Sequence, residues 1–510
     1  MVTSKDINYI IVQAGGSGTR MGKYCINKPK CLLPIDGYPL IFHLFNAYKN
    51  KNIIIIGDHL SHILFKYIQL YSKKQNIQML FTYEKGTSAG LKQAVGAFIP
   101  DNEPFILTWS DLLFRSEQEF EFTGDVSIGL SNTFECRWRL SDGEYKNEAS
   151  STDGIAGFFA FKNNKNFNKI DCEKSFVRGF LTDNFKTPDS FYLQNVEEIG
   201  TSQKYDEYLS NQKCRFFNKI EITEDEVTKT CIDEKYAHLI KDEIRWYEHV
   251  QKYQLKNIPK LISKDPYKIT RVKGDHCYSD TIKNLSNDEK EKIILNYSSL
   301  LNDLHSRETS LISEGTTECH NLYYKKTLDR VAEVKGLIPF LNKREIVINN
   351  KICKNIFHES AIETFTNNIT DLYTDTFSVI HGDLTFSNSL VDKDLNVYTF
   401  DPRGSFGNIK IFGDKKYEWS KLYYSVYGNY DSINSKKFDV RITDSVEYTI
   451  ESNTFEEFGP LVIQLSGVSE HRIKLLHSLI WLSLTGYVKE DIDSVLCSFY
   501  NGIYLYNEII

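Results

Sequence analysis

The chain's strongest constraint is a short apolar run that empties into glycines. Ile10-Ile11-Val12 leads directly into Gln13-Ala14-Gly15-Gly16-Ser17-Gly18-Thr19-Arg20-Met21, and Lys28-Pro29-Lys30 follows. Three consecutive β-branched residues predict a strand buried on both faces. Glycines immediately after such a strand let backbone N–H groups approach a bound phosphate closely. The run is not the dinucleotide fingerprint G-x-G-x-x-G, because its last position is Met21. Arg20 and Lys30 lie where cations would neutralise charge on an α-phosphate and a departing pyrophosphate.

The same rhythm continues to about residue 170. Ile53–Ile56 and Phe105–Thr108 read as further buried parallel strands, with helix-period segments at Leu40–Tyr48, His59–Tyr71 and Ser88–Phe98. Alternating strands and helices predict a doubly wound α/β sheet with ligands at the carboxyl ends of its strands. The texture changes near 213. Residues 215–220 and 226–229 read as paired antiparallel strands, Lys235–Tyr253 as a charged amphipathic helix, and 288–374 and 470–509 as mostly helical. The expected division is residues 1–212 and 213–510, consistent with a 510-residue chain that exceeds one growing core.

A second phosphate-handling pattern lies in the later half. Val379-Ile380 leads into His381-Gly382-Asp383-Leu384-Thr385-Phe386-Ser387-Asn388, and Thr399-Phe400 into Asp401-Pro402-Arg403-Gly404. The pattern H-x-D-x-x-x-x-N resembles the signature of the aminoglycoside phosphotransferase/choline kinase family. The resemblance implies that Asp383 would accept a substrate hydroxyl proton, Asn388 would reach a metal from the same loop, and Asp401 would bind Mg²⁺ bridging ATP phosphates. His381 is expected to order the loop, and Leu301–His305 to form a structural helix end. Upstream, Lys229 and Glu243 are the candidate phosphate lysine and its ion-pair partner. No glycine occurs in 212–229, so a protein-kinase glycine loop is missing, and 269–274 is a candidate hinge.

GGSGTRM…KPK resembles the sugar-1-phosphate and phosphocholine nucleotidyltransferase superfamily over roughly residues 7–210. The resemblance implies nucleotide binding by Ala14, Gly15, Gly16, Ser17, Gly18 and Thr19, catalysis by Arg20 and Lys30, and base contacts from Gly86 and Thr87. It makes Asp111, in Ser110-Asp111-Leu112-Leu113-Phe114, the metal ligand. Trp138 falls where phosphocholine enzymes stack a ring on trimethylammonium. One position departs from the pattern: a second metal-binding Asp is replaced by Gly200 in Glu198-Ile199-Gly200-Thr201, so that Glu198 or Glu197 substitutes, Asp111 works with the phosphates alone, or this half is impaired. HGDLTFSN resembles the aminoglycoside phosphotransferase/choline kinase family over about 213–510, which implies a bilobal α+β kinase-like domain.

Together the resemblances imply a bifunctional enzyme using Mg²⁺, ATP and a second NTP, with CTP favoured. A small alcohol or amino alcohol would be phosphorylated and then nucleotidylated, for a bacterial surface polysaccharide. A sugar or polyol kinase joined to an NDP-sugar pyrophosphorylase is the alternative, and a nucleotide-binding regulator with one degenerate half is a third. A net charge of -7 argues against nucleic acid or an anionic membrane as partner. No apolar run approaches a membrane span. The start of the chain leaves no room for a signal peptide, and ten scattered Cys form no CxxC pair, so a reduced, cytoplasmic setting is expected.

Overall fold

The computed structural model describes residues 1–71, 76–81, 87–174, 176–211 and 216–510. It divides into two compact units, Met1–Asn211 and Gln212–Ile510. Among the described residues, no helix is long and apolar enough to cross a membrane.

The first unit is built on a sheet whose central strand is Tyr9–Gln13. Asn52–Gly57 and Phe105–Trp109 flank it in parallel, and Ile77–Phe81 extends the parallel edge. Ile10, Ile11, Val12, Ile53, Ile54 and Ile55 are all buried, as expected of strands covered on both faces. Helices Leu40–Ala47, Ser61–Tyr71 and Thr87–Phe98 make the connections. The strand pairing ends Gln13 beside Ile56 and Trp109, so the loops leaving these strands share one edge.

Beyond Phe105–Trp109 the sheet departs from the parallel pattern. Gly154–Phe161 pairs antiparallel with Phe105–Trp109 and with Val126–Ser131. A parallel pairing needs a crossover of a dozen or more residues, usually helical. The segment between Val126–Ser131 and Gly154–Phe161 holds instead the small hairpin Arg139–Ser141/Glu144–Lys146. The result is a doubly wound parallel half with a mixed flank, in which Asp189–Tyr192 pairs parallel with Val126–Ser131.

The second unit begins with a four-stranded antiparallel sheet in the order Asn218–Ile222, Glu226–Cys231, Tyr267–Thr270, Leu261–Lys264. Helix Ala237–Val250 follows its first hairpin. The remainder is mainly helical, with Asn287–Arg307, Lys415–Val426, Glu470–Leu484 and Ile492–Tyr506 as the long elements. Ser286 caps Asn287–Arg307 with Glu289 in a reciprocal capping box, which fixes that helix start. The core gathers Trp246, Tyr297, Leu301, Phe386 and Trp419.

The stretch 288–374, read from sequence as mostly helical, contains a β-hairpin, Glu345–Ile348/Lys351–Lys354. Asn349 and Asn350 both take positive φ (46° and 64°), as a two-residue hairpin turn requires. The hairpin joins Phe438–Ile442/Val446–Ile450 in a second four-stranded sheet.

Candidate functional site

In the first unit, a cleft of about 480 Å³ opens at the carboxyl edge of the parallel strands. The glycine loop forms one wall through Ala14, Gly15, Gly16, Gly18, Thr19 and Arg20. Lys30, Thr87 and Asp111 contribute as well. Gly18 has φ +65°, and the first turn of the short helix Thr19–Cys25 starts from it. Ser17 and Trp138 lie outside this lining. Trp138 packs against the core of the sheet flank, and among the described residues the aromatic ring on the cleft is Trp109. Gly86 lies outside the described residues.

Lys30 Nζ contacts Asp111 Oδ2 at 2.5 Å. The other Asp111 oxygen, Oδ1, is buried and has no hydrogen-bond partner among the described residues. Such an atom is costly to leave unmade, and a cation on a triphosphate is the ligand chemistry that would satisfy it. Arg20 is exposed at the rim, with no ion-pair partner among the described residues.

The glycine at position 200 has a spatial explanation. A Cβ built there would meet Glu198 Oε1 at 1.7 Å and Asp111 Oδ2 at 3.3 Å. The Glu198 carboxylate therefore occupies the space a side chain at 200 would need, and it faces Asp111. Glu198 is held from behind by Lys204. Glu197 instead points to Arg115 and is half exposed. Cys136, nearby, has its thiol pushed up to about 12 by burial and by the charges of Glu198 and Asp111. Among the described residues no cluster of three or more His, Cys, Asp or Glu could hold a metal. Two carboxylates plus substrate phosphates are nonetheless what Mg²⁺ commonly takes, so Asp111 and Glu198 fit that ion. Sequence reading missed Gln13, Asp58, Trp109 and Ser110, which also line the cleft. Gln13 and Trp109 end strands and Asp58 and Ser110 directly follow strand ends, so strand register was the signal that could have found them.

The second unit assembles its charged residues from several elements. Lys229, on Glu226–Cys231, reaches Glu243 Oε2 and Asp401 Oδ1, each at 2.7 Å. Tyr267 OH donates to the other Glu243 oxygen at 2.7 Å. Burial would depress Lys229, but Glu243 and Asp401 outweigh it and hold the ammonium above its usual range. Burial, and then the Asp401 charge, push Glu243 up to about 7 against the opposing pull of Lys229 and Tyr267. Asp401 sits at φ +56°, a left-handed conformation costly for most residues.

The hairpin Ser389–Val391/Val397–Thr399 returns the chain so that Asn388 and Asp401 end on one side. Asn388 Nδ2 donates to the Asp383 carbonyl at 2.8 Å and to its Oδ2 at 3.3 Å, and Lys421 Nζ lies 2.9 Å from Oδ1. His381 is buried. Its Nε2–H donates to the Phe400 carbonyl at 2.9 Å, and its Nδ1 accepts from the Asp383 N–H at 3.3 Å. Burial lowers its pKa. A neutral ring engaged at both nitrogens orders this loop.

Two residues that sequence reading missed complete the arrangement. Glu418, fully buried, accepts from the N–H groups of His381 (3.1 Å) and Gly382 (2.7 Å) and pairs with His305 at 2.9 Å. Lys421 follows it by one helical turn and reaches Asp383 from the same face. Arg271 and Gly274 stay outside these contacts: Arg271 binds the Thr223 carbonyl, and Gly274 packs against the Val391 backbone.

Residues 10–120 match the MobA-like NTP transferase domain family. The N-terminal unit carries an NTP transferase domain. Mannose-1-phosphate guanyltransferase of Saccharomyces cerevisiae is 27% identical over 109 residues, 20% of this chain and 30% of that protein. The chain spans less than half the length of the curated relatives it matches. Among solved structures, the CTP:phosphocholine cytidylyltransferase from Streptococcus pneumoniae is 19% identical with a TM-score of 0.34, covering 39% of this chain and 97% of its own. The gentamicin complex of APH(2″)-IIa is 17% identical with a TM-score of 0.36, covering 56% of this chain and 87% of its own.

Proposed function

We propose that the chain is a bifunctional enzyme. Its second unit phosphorylates a small alcohol with ATP, and its first unit joins the product to a nucleotide, with CMP the favoured group, releasing pyrophosphate. The observation that carries the nucleotidyl transfer is the Lys30–Asp111 contact beside the unpartnered Asp111 Oδ1 at the mouth of a glycine loop. In this reading the loop amides bind the triphosphate, and Arg20 and Lys30 receive the charge that develops as pyrophosphate leaves. Asp111 and Glu198 would hold Mg²⁺, which when bound supplies charge neutralisation on the phosphates.

In the second unit, Asp383 takes the proton from the acceptor hydroxyl. Lys421 and the Asn388 amide hold its carboxylate in place. Lys229 lies where it would reach ATP phosphates, oriented by Glu243, and Asp401 with Asn388 would hold the second Mg²⁺.

The alternative, a sugar or polyol phosphate becoming an NDP-sugar, is favoured by one observation. Trp138, the ring expected for a quaternary amine, packs on the core and not on the cleft. Release of pyrophosphate from CTP, UTP, GTP and dTTP, each with phosphocholine and with hexose 1-phosphates, tests both readings. Pyrophosphate with none of these pairs would sink the nucleotidyl transfer.

A further inference from the structure

Several cations gather near Asp383. Lys326 and Arg330 are four residues apart on helix Lys326–Glu333 and so share a face. Arg403 follows Asp401 by two residues, and its Cβ lies 3.2 Å from the Cβ position that Gly382 leaves vacant, next to Asp383. Lys421 stands on Asp383 at 2.9 Å. The charges acting most strongly on Lys326 are Arg403, Arg330 and Lys421, with Asp383 opposing them; burial and this repulsion drive its ammonium well below the usual lysine range.

Among the described residues neither Lys326 nor Arg403 has an ion-pair partner. Glu333, the other carboxylate near Arg330, is engaged by Lys489. Three of the nearby aromatic rings already carry the chain's own cations. Lys421 Nζ lies 5.1 Å from the Tyr424 ring centre and 5.9 Å from that of Tyr430, and the Arg330 guanidinium lies 5.3 Å from Tyr487. A quaternary amine would meet repulsion from these cations. Like charges held together in a partly buried site are stabilised by an incoming anion.

We infer that the alcohol phosphorylated at Asp383 carries an anionic group, a carboxylate or a phosphate ester, received by Lys326, Arg330 and Arg403. This rests on the kinase reading of the same site and narrows it from small alcohols in general to hydroxy acids and sugar or polyol phosphates.

The test follows ADP release by the full chain with glycerol, D-glycerate, glycerol 3-phosphate and choline. D-glycerate or glycerol 3-phosphate should be turned over at least about tenfold more efficiently than glycerol, with choline inert. Lys326→Gln and Arg403→Gln should each raise KM for the anionic acceptor about tenfold while leaving KM for ATP within about twofold. The two anionic arms distinguish a carboxylate from a phosphate ester. Preference for glycerol or choline overturns the inference and leaves the kinase reading standing. So does a rise in KM for ATP alone, which would give these cations to the γ-phosphate. ADP release unchanged by every alcohol, and by Asp383→Asn, overturns the kinase reading and this inference with it. Calorimetric titration of inorganic phosphate reads the cluster without turnover. Binding weakened about tenfold in folded Lys326→Gln supports the inference, and equal binding in the two proteins overturns it.

Discussion

At the scale of single residues, the first cleft turns on three side chains and one missing one. Lys30 and Asp111 are in contact, Glu198 fills the place of a side chain at 200, and Asp111 Oδ1 awaits a partner. Lys30→Ala should lower kcat for nucleotidyl transfer by about 10²-fold, the scale of one preorganised charge contact. Turnover with the NTP and phospho-acceptor identified by pyrophosphate release checks it. Glu198→Gln should weaken Mn²⁺ binding in the presence of NTP by about tenfold, read from the free-ion EPR signal, whereas Glu197→Gln should leave it unchanged. Lys30, Asp111 and Arg20 were legible because the glycine loop and strand ends fix their order along the chain. Glu198 was only one of several options, since which of two adjacent acids faces Asp111 is decided by strand pairing. Val196–Glu198 pairs with Leu112–Phe114 and places Glu198 opposite Leu112, next to Asp111.

At the scale of elements, helix Lys415–Val426 carries more of the second site than any other. Through Glu418 it clamps two backbone amides of the loop that presents Asp383, and through Lys421 it touches Asp383 itself. Glu418→Ala leaves two buried N–H donors and His305 without their acceptor. It should cost about 3 kcal/mol of unfolding free energy, read by denaturant titration. Nothing in the periodicity of this helix marks Glu418, because a buried carboxylate is recognisable only once the amides it serves are in view. The hairpin at Asn349-Asn350 was missed for a simpler reason: its strands are four residues each, too short to outweigh the helical segments around them. Helix Glu470–Leu484 gives a pH signature. His477 is buried and accepts from Trp481 Nε1 at 2.9 Å, and burial lowers its pKa from 6.5 to about 3. The unfolded chain takes up a proton below 6.5 that the folded one refuses. The contribution of His477 to stability should therefore be full above pH 6.5 and fall by about 1.4 kcal/mol per pH unit from there towards pH 3. In denaturant titrations across that range, His477→Gln should show a shallower acid slope than the parent protein.

At the scale of the whole molecule, the two proposed sites share no residue. Asp383→Asn should abolish nucleotide-linked product from the unphosphorylated acceptor with ATP and NTP. The same protein should still form that product when given the phosphorylated acceptor, because separate sites behave independently. Chromatography of the two reactions decides the matter. A folded variant inactive with both substrates would mean the halves are coupled. Both halves were readable from sequence because each concentrates its chemistry in one short loop after a strand. The cation cluster was not readable, since Lys326, Arg403 and Lys421 come from three separate stretches and meet only in the folded unit. The glycine at 200 has an evolutionary corollary. A side chain there and the present rotamer of Glu198 exclude each other, so Gly200→Asp alone should impair the protein, and the same change should be better tolerated in a Glu198→Ala background. The two positions form an epistatic pair, in which the value of an acid at either depends on which residue arrived first.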